Sequence, residues 1–293
     1  MLLLMMVPGL AYLLINNYLP MFGVVIAFKN INYAQGIWGS EWVGFKNFEY
    51  LFKTDDAFVI TRNTLLYNGA FLVLDLVAAI GLAILINEVK NKVMKSFYQS
   101  VLLLPFLISM VVVGYLVYAF LNVQNGLMNK TVLPLLGLDE ISWYLESKYW
   151  PYILTLVQVW KSVGYYSIIY LAAIIGIDKE YYEAATIDGA GKWRQLTSIT
   201  IPSIMPVIIM LTLLQIGRIF YSDFGLFFQV PLNSGPLHNV TDVIDTYVYR
   251  SLITLGDTGM SSAAGLYQAT VGFVLVILSN YVVRKISKDN ALF

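Results

Sequence analysis

The chain has 293 residues, of which 58% are hydrophobic and only 12% are charged, whereas soluble domains average about 25% charged residues. This composition predicts an integral membrane protein, and the formal net charge of zero gives no reason to expect nucleic-acid binding. Cysteine is absent and His238 is the single histidine, which excludes disulfides, thiolate metal sites and a histidine metal cluster.

Six stretches are long and apolar enough to cross a bilayer as helices, which takes about 20 mostly apolar residues. They are residues 3–28, 63–87, 95–120, 151–176, 203–230 and 260–283. The first stretch has no basic residue before Lys29, so it is typical of a spanning helix and not of a signal peptide. Pro105 removes a backbone hydrogen bond and should kink the third. We predict an all-α membrane protein with one six-helix transmembrane domain over residues 1–293.

The basic residues outside these stretches predict the orientation, because cytoplasmic loops carry an excess of Lys and Arg. One side holds Lys90, Lys92, Lys95, Lys179, Lys192, Arg194, Arg284, Lys285 and Lys288. The other side holds Lys29, Lys46, Lys53, Arg62, Lys130, Lys148 and Arg250, spread over a greater length. This modest bias places the loop at residues 178–202, and both termini, on the cytoplasmic side.

Ionisable residues inside the spans predict a polar path, because a charge within the bilayer is costly and faces protein or water. Polar and aromatic neighbours recur on the same helix faces. The candidate path residues are Asn68, Asp75, Gln158, Lys161, Tyr165, Gln215, Arg218 and Tyr221, with Ser162, Tyr166, Ser222, Asp223 and Phe224 near them. Aromatic faces combined with hydrogen-bonding groups suit sugar rings, which present both C–H faces and hydroxyls. The alternative is that these polar groups only pair with one another and hold the bundle together.

The loop at residues 178–202 is a polar interlude between the fourth and fifth spans. Asp178 is a good N-cap for a short helix, and Gly189 and Gly191 can end that helix. A second short helix is predicted over residues 192–198, and Pro202 suits the first turn of the next span. Two alanines of the first helix leave a face that a partner's backbone can approach, and Glu183 adds a charge beside them.

This loop reads EAATIDGA over residues 183–190 and ITIP over residues 199–202. It resembles the EAA loop of binding-protein-dependent ABC importer permeases, in which Glu-Ala-Ala precedes Asp-Gly-Ala and an Ile-x-(Leu/Ile)-Pro sequence. Leu196 stands where that family often has a larger aromatic residue, and Ile201 replaces the usual Leu. The resemblance implies a type I ABC importer fold with a cytoplasmic coupling helix, between helices 4 and 5, that docks into an ATPase subunit. The docking residues that it implies are Tyr182, Glu183, Ala184, Ala185, Asp188, Gly189, Ala190 and Trp193.

Outer stretches extend the resemblance to sugar and oligosaccharide permeases. They are Pro8-Gly9, YLPMFG at residues 18–23, AFK at 27–29 and WVG at 42–44, although the aromatic loop at 37–48 is also typical of an interfacial belt. The resemblance implies an importer subunit in a bacterial plasma membrane that translocates a sugar, expected to be an oligosaccharide. Its implied partners are a second homologous permease, two ATPase subunits that bind ATP and Mg, and an extracellular solute-binding protein.

No catalytic or metal-binding constellation is visible in the sequence. Residues 189–192 read GAGK, but the phosphate-loop pattern needs a glycine where Thr186 stands and a Ser or Thr where Trp193 stands. ATP hydrolysis is therefore assigned to other chains. The alternative function is an ion-coupled secondary transporter of a polar solute. It would need intramembrane carboxylates, for which Asp75 and Asp223 are the candidates, and no inverted repeat is apparent.

Overall fold

The computed structural model describes residues 2–286. The N-terminal helical run comprises α1 (Leu2–Leu13), a π-helical turn (Leu14–Tyr18), α2 (Leu19–Met21) and a 3-10 segment (Phe22–Phe28). A hairpin follows, in which β1 (Lys29–Asn30) pairs antiparallel with β2 (Glu41–Trp42). The short helix α3 (Gly36–Gly39) lies in the loop that connects the two strands. A 3-10 turn (Lys46–Phe48) and α4 (Tyr50–Lys53) then lead to the second long helix.

The middle of the chain carries the long helices α5 (Asp55–Asn87), α6 (Lys92–Leu107), α7 (Met110–Leu121) and α9 (Trp150–Ile175). Between the last two lie a π-helical turn (Met128–Val132), α8 (Leu133–Leu135) and a 3-10 turn (Ser147–Tyr149). After α9 comes the short helix α10 (Lys179–Ile187).

The last third begins with α11 (Lys192–Gln195), a π-helical turn (Leu196–Thr200) and α12 (Ile201–Ile216), which form one continuous run. Short elements follow: α13 (Phe224–Gln229), a 3-10 turn (Gly235–Leu237), α14 (His238–Thr241), α15 (Ile244–Arg250) and a π-helical turn (Ser251–Leu255). The helix α16 (Thr258–Ile286) ends the described residues.

Within residues 2–286, four helices are long and apolar enough to cross a membrane. They are Met5–Phe28, Asp56–Asn87, Lys192–Ile216 and Thr258–Lys285. Two bent pairs pass the same test, α6 with α7 (bent by 95°) and Ser147–Ile175 with α10 (bent by 69°), so the number of spans rises to six if each pair is one span. The chain is therefore a multi-pass membrane protein, with most of its predicted spans close to where the sequence indicates.

The second and third spans differ from their predicted forms. The second starts at Asp55 and not at residue 63, because the Thr54 hydroxyl accepts a hydrogen bond from Ala57 N–H (3.2 Å) and caps the longer helix. The third is broken and not merely kinked. The helix α6 ends at Leu107, just after Pro105, and Ser109 caps the start of α7.

The fifth span, predicted as one helix over residues 203–230, is wrong at both ends. It starts at Lys192, because α11 and a π-helical turn precede α12 without a break, with Ile201 N–H bonded to Leu196 O across that turn. Pro202 stands in the first turn of α12, as predicted. The span stops at Ile216, a turn over residues 217–223 follows, and Asp223 caps the separate helix α13 by accepting from Leu226 N–H (3.0 Å).

The core lies where α9 packs between α5 and α6. Buried apolar side chains of α5 and α9 interlock there, among them Ala83 and Tyr170. At Gly164 of α9 the backbone of α6 comes so close that an added Cβ would lie 1.8 Å from Leu102 O. This contact requires glycine and brings the broken end of α6 against the polar face of α9.

Candidate functional site

The broken third span and the early end of α12 leave a cavity of about 630 Å³ beside α5 and α9. All eight candidate path residues line it, namely Asn68, Asp75, Gln158, Lys161, Tyr165, Gln215, Arg218 and Tyr221. Its lining also includes Ser162, Tyr166 and Asp223. Phe224 is not part of the lining and stacks on Phe228 instead (ring centroids 4.8 Å apart). The volume falls within the range of ordinary ligand sites.

Lys161 closes the broken end of α6. Its Nζ donates to Pro105 O (3.3 Å) and Phe106 O (3.1 Å), and also to Ile108 O. The last carbonyls of a helix lack intrahelical donors, and a cation at that end is favourable. The ammonium of Lys161 is thus used by the protein itself, and it stabilises the break that shapes the cavity wall.

Asp75 lines the cavity and joins α5 to α9. It is only 4% exposed, and its Oδ1 accepts a hydrogen bond from Ser162 Oγ on α9 (2.7 Å). The Ser162 hydroxyl also contacts Gln158 O (2.8 Å). Asp75 therefore lines the cavity while its carboxylate is bonded to a neighbouring helix.

Asn68 holds the turn at residues 217–223 against α5. Its Nδ2 donates to Ile219 O (2.8 Å) and Tyr221 O (3.2 Å), and it contacts Ser222 Oγ (3.2 Å). Ser222 falls within the span predicted over residues 203–230, but α12 has already ended there. The amide of Asn68 supplies donors for carbonyls that the missing helix leaves unpaired.

Two further side chains support the same turn from the other side. Asp245 Oδ2 accepts from Ser222 N–H (2.8 Å), and Gln268 Nε2 donates to Phe220 O (2.7 Å). Burial raises the pKa of the Asp245 carboxyl, although the hydrogen bonds from Ser222 and Gln268 oppose the rise. Three side chains thus bond to the backbone of the turn, and they limit the position of Arg218 near its start.

Arg218, Tyr165 and Tyr221 are the exposed members of the predicted set. Arg218 forms no side-chain hydrogen bond or ion pair with any residue in the described range 2–286. Tyr165 is 40% exposed and stacks on Phe106, with ring centroids 4.6 Å apart. The cavity therefore offers aromatic faces and a guanidinium that forms no side-chain bond to any residue of the described range.

Sequence reasoning missed Phe106 and Met110, which line the cavity at the break between α6 and α7. The signal was the predicted kink at Pro105, because a proline in a span frees backbone groups and opens the helix beside it. Their apolar and aromatic character gave no separate indication. Among the described residues, no cluster of His, Asp or Glu could hold a metal ion.

The short helix predicted after the fourth span is confirmed as α10. Asp178 caps it by accepting from Glu180 N–H (3.1 Å), and Gly189 ends it in the left-handed conformation (φ +77°), with Ala190 N–H bonded to Ala185 O (2.8 Å). Gly191 has a different place from the predicted one, since it precedes α11 with an extended backbone. The second short helix is the first part of the fifth span.

The predicted docking residues are divided between an outer and an inner side of this loop. Glu183, Ala184, Asp188, Gly189 and Trp193 are exposed, whereas Tyr182, Ala185 and Ala190 are half-buried. The Tyr182 hydroxyl lies 2.9 Å from Thr200 Oγ1, and Gln195 Nε2 donates to Thr186 Oγ1 (3.0 Å) and Ala190 O (3.1 Å). These bonds fasten α10 to the start of the fifth span.

Comparisons with known proteins agree in sequence and in structure. Protein LplB of Bacillus subtilis is 38% identical, covering 98% of this chain and 89% of that protein. The polygalacturonan/rhamnogalacturonan transport system permease protein YteP of the same organism is 37% identical, covering 98% and 88%. A crystal structure of a bacterial ABC transporter involved in the import of the acidic polysaccharide alginate contains a chain with a TM-score of 0.89. That chain is 33% identical, and the match covers 98% of this chain and 96% of that one.

A family model described as a binding-protein-dependent transport system inner membrane component matches residues 75–288. This range contains most of the cavity lining and the whole of α10. It is also the range in which the EAA-type loop predicted such a membership. The chain therefore belongs to the family of binding-protein-dependent transport system inner membrane components.

Proposed function

We propose that this chain is one of two transmembrane subunits of an ATP-driven importer, and that its cavity forms part of the path of an oligosaccharide. The observation that carries this proposal is the convergence of eight polar and aromatic candidate residues, from three helices and the turn at residues 217–223, on one cavity. The relatives named for polygalacturonan/rhamnogalacturonan transport and for alginate import support a sugar polymer as the source of the substrate.

The helix α10 is the proposed docking element for an ATPase subunit, on the cytoplasmic side of the membrane. Its exposed face combines the acidic Glu183 with large apolar side chains, Tyr181 (64% exposed) and Ile187 (87%), and Trp193 (76%) follows on α11. Protein interfaces typically have large apolar and aromatic groups at the centre and charged groups at the rim. ATP and Mg are bound by the ATPase subunits in this proposal, and this chain transmits their motion.

The other proposed partners are a second, homologous permease and an extracellular solute-binding protein. A second solved structure of the alginate ABC transporter, with a TM-score of 0.88 to this chain, is in complex with an alginate pentasaccharide-bound periplasmic protein. Because the described cavity has walls from one permease only, a second subunit would complete the path. Both termini lie in the cytoplasm in this arrangement.

An ion-coupled secondary transporter is the weaker alternative, because its candidate carboxylates are engaged in structural bonds. Asp75 accepts from Ser162, and Asp223 caps α13. The test is uptake of labelled trigalacturonate into proteoliposomes that contain this chain, the partner permease, the ATPase and the binding protein. We expect uptake to require ATP and to persist with a protonophore. Uptake that is lost with the protonophore and indifferent to ATP would favour the secondary transporter.

A further inference from the structure

We propose that Arg218 is the residue of the cavity that recognises a carboxylate of an acidic sugar. This inference rests on the proposed function and names the substrate class of the same site. A guanidinium presents several N–H donors in a planar fork that matches a carboxylate, and such charge-assisted pairs are among the stronger hydrogen bonds in proteins. The guanidinium of Arg218 forms no hydrogen bond or ion pair with a residue in the range 2–286.

The two cations of the cavity have different roles. The Nζ of Lys161 donates to the carbonyls of Pro105, Phe106 and Ile108, so its charge is used at the end of α6. Arg218 stands near the start of the turn at residues 217–223, which Asn68 and Asp245 hold in place. Its side chain is exposed at the cavity, so a ligand can reach the guanidinium.

The two carboxylates that line the cavity, those of Asp75 and Asp223, form no ion pair with Arg218. Asp75 is bonded to Ser162 Oγ at 2.7 Å, and Asp223 accepts from Leu226 N–H at 3.0 Å. Neither forms an ion pair with a basic residue within the described part of the chain. An anionic ligand thus meets a cation that no internal carboxylate neutralises by direct contact.

The neighbouring groups suit a sugar that carries the carboxylate. Tyr165, stacked on Phe106, offers an aromatic face for the C–H side of a ring, and the amides of Gln158 and Gln215 can bind hydroxyls. One guanidinium balances the single charge of a uronic acid unit. A sugar phosphate presents a different kind of anion on a sugar, and it serves as the competing ligand in the test.

The experiment measures equilibrium binding to the full transporter complex in nanodiscs, with the binding protein omitted so that only the permeases select. The probes are trigalacturonate, its fully methyl-esterified form and glucose 6-phosphate. The variants are Arg218→Gln, Arg218→Lys and, as a matched control outside the cavity, Arg284→Gln near the end of α16. Thermal unfolding of each complex identifies any variant that fails to fold. If Arg218→Gln fails to fold, Arg218→Lys is compared with the wild type in its place.

We expect the wild type and Arg284→Gln to bind the acid about tenfold or more tightly than the ester, as loss of a charge-assisted pair implies. Arg218→Gln should bind both forms alike, and Arg218→Lys should keep part of the preference. The proposal is overturned if Arg218→Gln keeps the full preference, if the wild type has none or binds neither form, or if glucose 6-phosphate binds more tightly than trigalacturonate. ATP-driven uptake is measured separately in the complete system with the binding protein present. Its loss, and not any of these binding outcomes, would reject the proposed function.

Discussion

Lys161 shows how one half-buried charge can serve the protein's own backbone. Its Nζ contacts three carbonyls at the broken end of α6. We predict that Lys161→Met destabilises the assembled complex by about 1–3 kcal/mol, because those carbonyls lose their donor in an apolar setting. Thermal unfolding of the purified complex measures this, and Lys161→Arg should recover much of the loss. An unchanged midpoint in Lys161→Met would show that the bonds at the break contribute nothing.

Glu183 lies exposed on α10 beside Ala184. If it forms a buried pair with a basic residue of the ATPase, Glu183→Ala should weaken docking by about 2–5 kcal/mol, because the partner's charge is left unpaired. Co-purification of the ATPase, together with substrate-stimulated ATP turnover in liposomes, measures the effect. Pairing with the second permease should persist.

The matched control for Glu183 is Glu140→Ala. Glu140 is also exposed and acidic, but it lies in the segment between α8 and α9 and pairs with Lys130 (2.6 Å). An exposed pair of this kind contributes little, so docking should be unchanged. Equal behaviour of the two variants would remove Glu183 from the docking surface.

At the scale of elements, the loop between α9 and the fifth span depends on one glycine and not on its neighbour. Gly189 has φ +77°, whereas Gly191 has φ −69°, and neither has an atom within 4 Å of an added Cβ. Gly189→Ala should therefore cost about 1–2 kcal/mol from backbone strain alone. It should also misdirect α11 relative to α10 and lower coupled ATP turnover.

Gly191→Ala is the control, because its extended backbone accepts a side chain and the loss of an N-cap glycine costs less. Proteolytic sensitivity of the loop and ATP turnover in liposomes measure both variants side by side. Similar effects of the two substitutions would mean that the left-handed conformation is not what the loop requires.

For the whole molecule, we predict six crossings, which would place both ends of the chain on one side of the membrane. This count takes each bent pair as one span. A reporter fused after Phe293 should be cytoplasmic, and one inserted near Gln124, between α7 and α8, should be external. Reporter activity in intact cells and in permeabilised cells measures the side. An external C-terminus would reject the proposed orientation and, with it, docking of α10 to a cytoplasmic ATPase.

Much of the fold and the membership of the cavity followed from the sequence because both depend on local periodicity. Apolar length predicts a spanning helix, and a spacing of seven residues, as between Asn68 and Asp75, places two side chains on one face. The cap at Asp178 and the glycine that ends α10 likewise depend on residues close to one another in the sequence. The same reasoning failed over residues 203–230, where the apolar composition continues although the helix stops at Ile216.

What each polar residue does was decided only by the tertiary structure. Asp75 and Ser162 are 87 positions apart, and Asn68 meets Ile219 across 151 positions. The donors and acceptors that satisfy a buried group come from whichever helix packs against it, and no local spacing encodes that choice. The sequence alone predicted that Lys161 and Arg218 share a polar lining, because their positions on apolar helices are polar. Packing determined that Lys161 is bonded to the end of α6, while the side chain of Arg218 forms no hydrogen bond within residues 2–286.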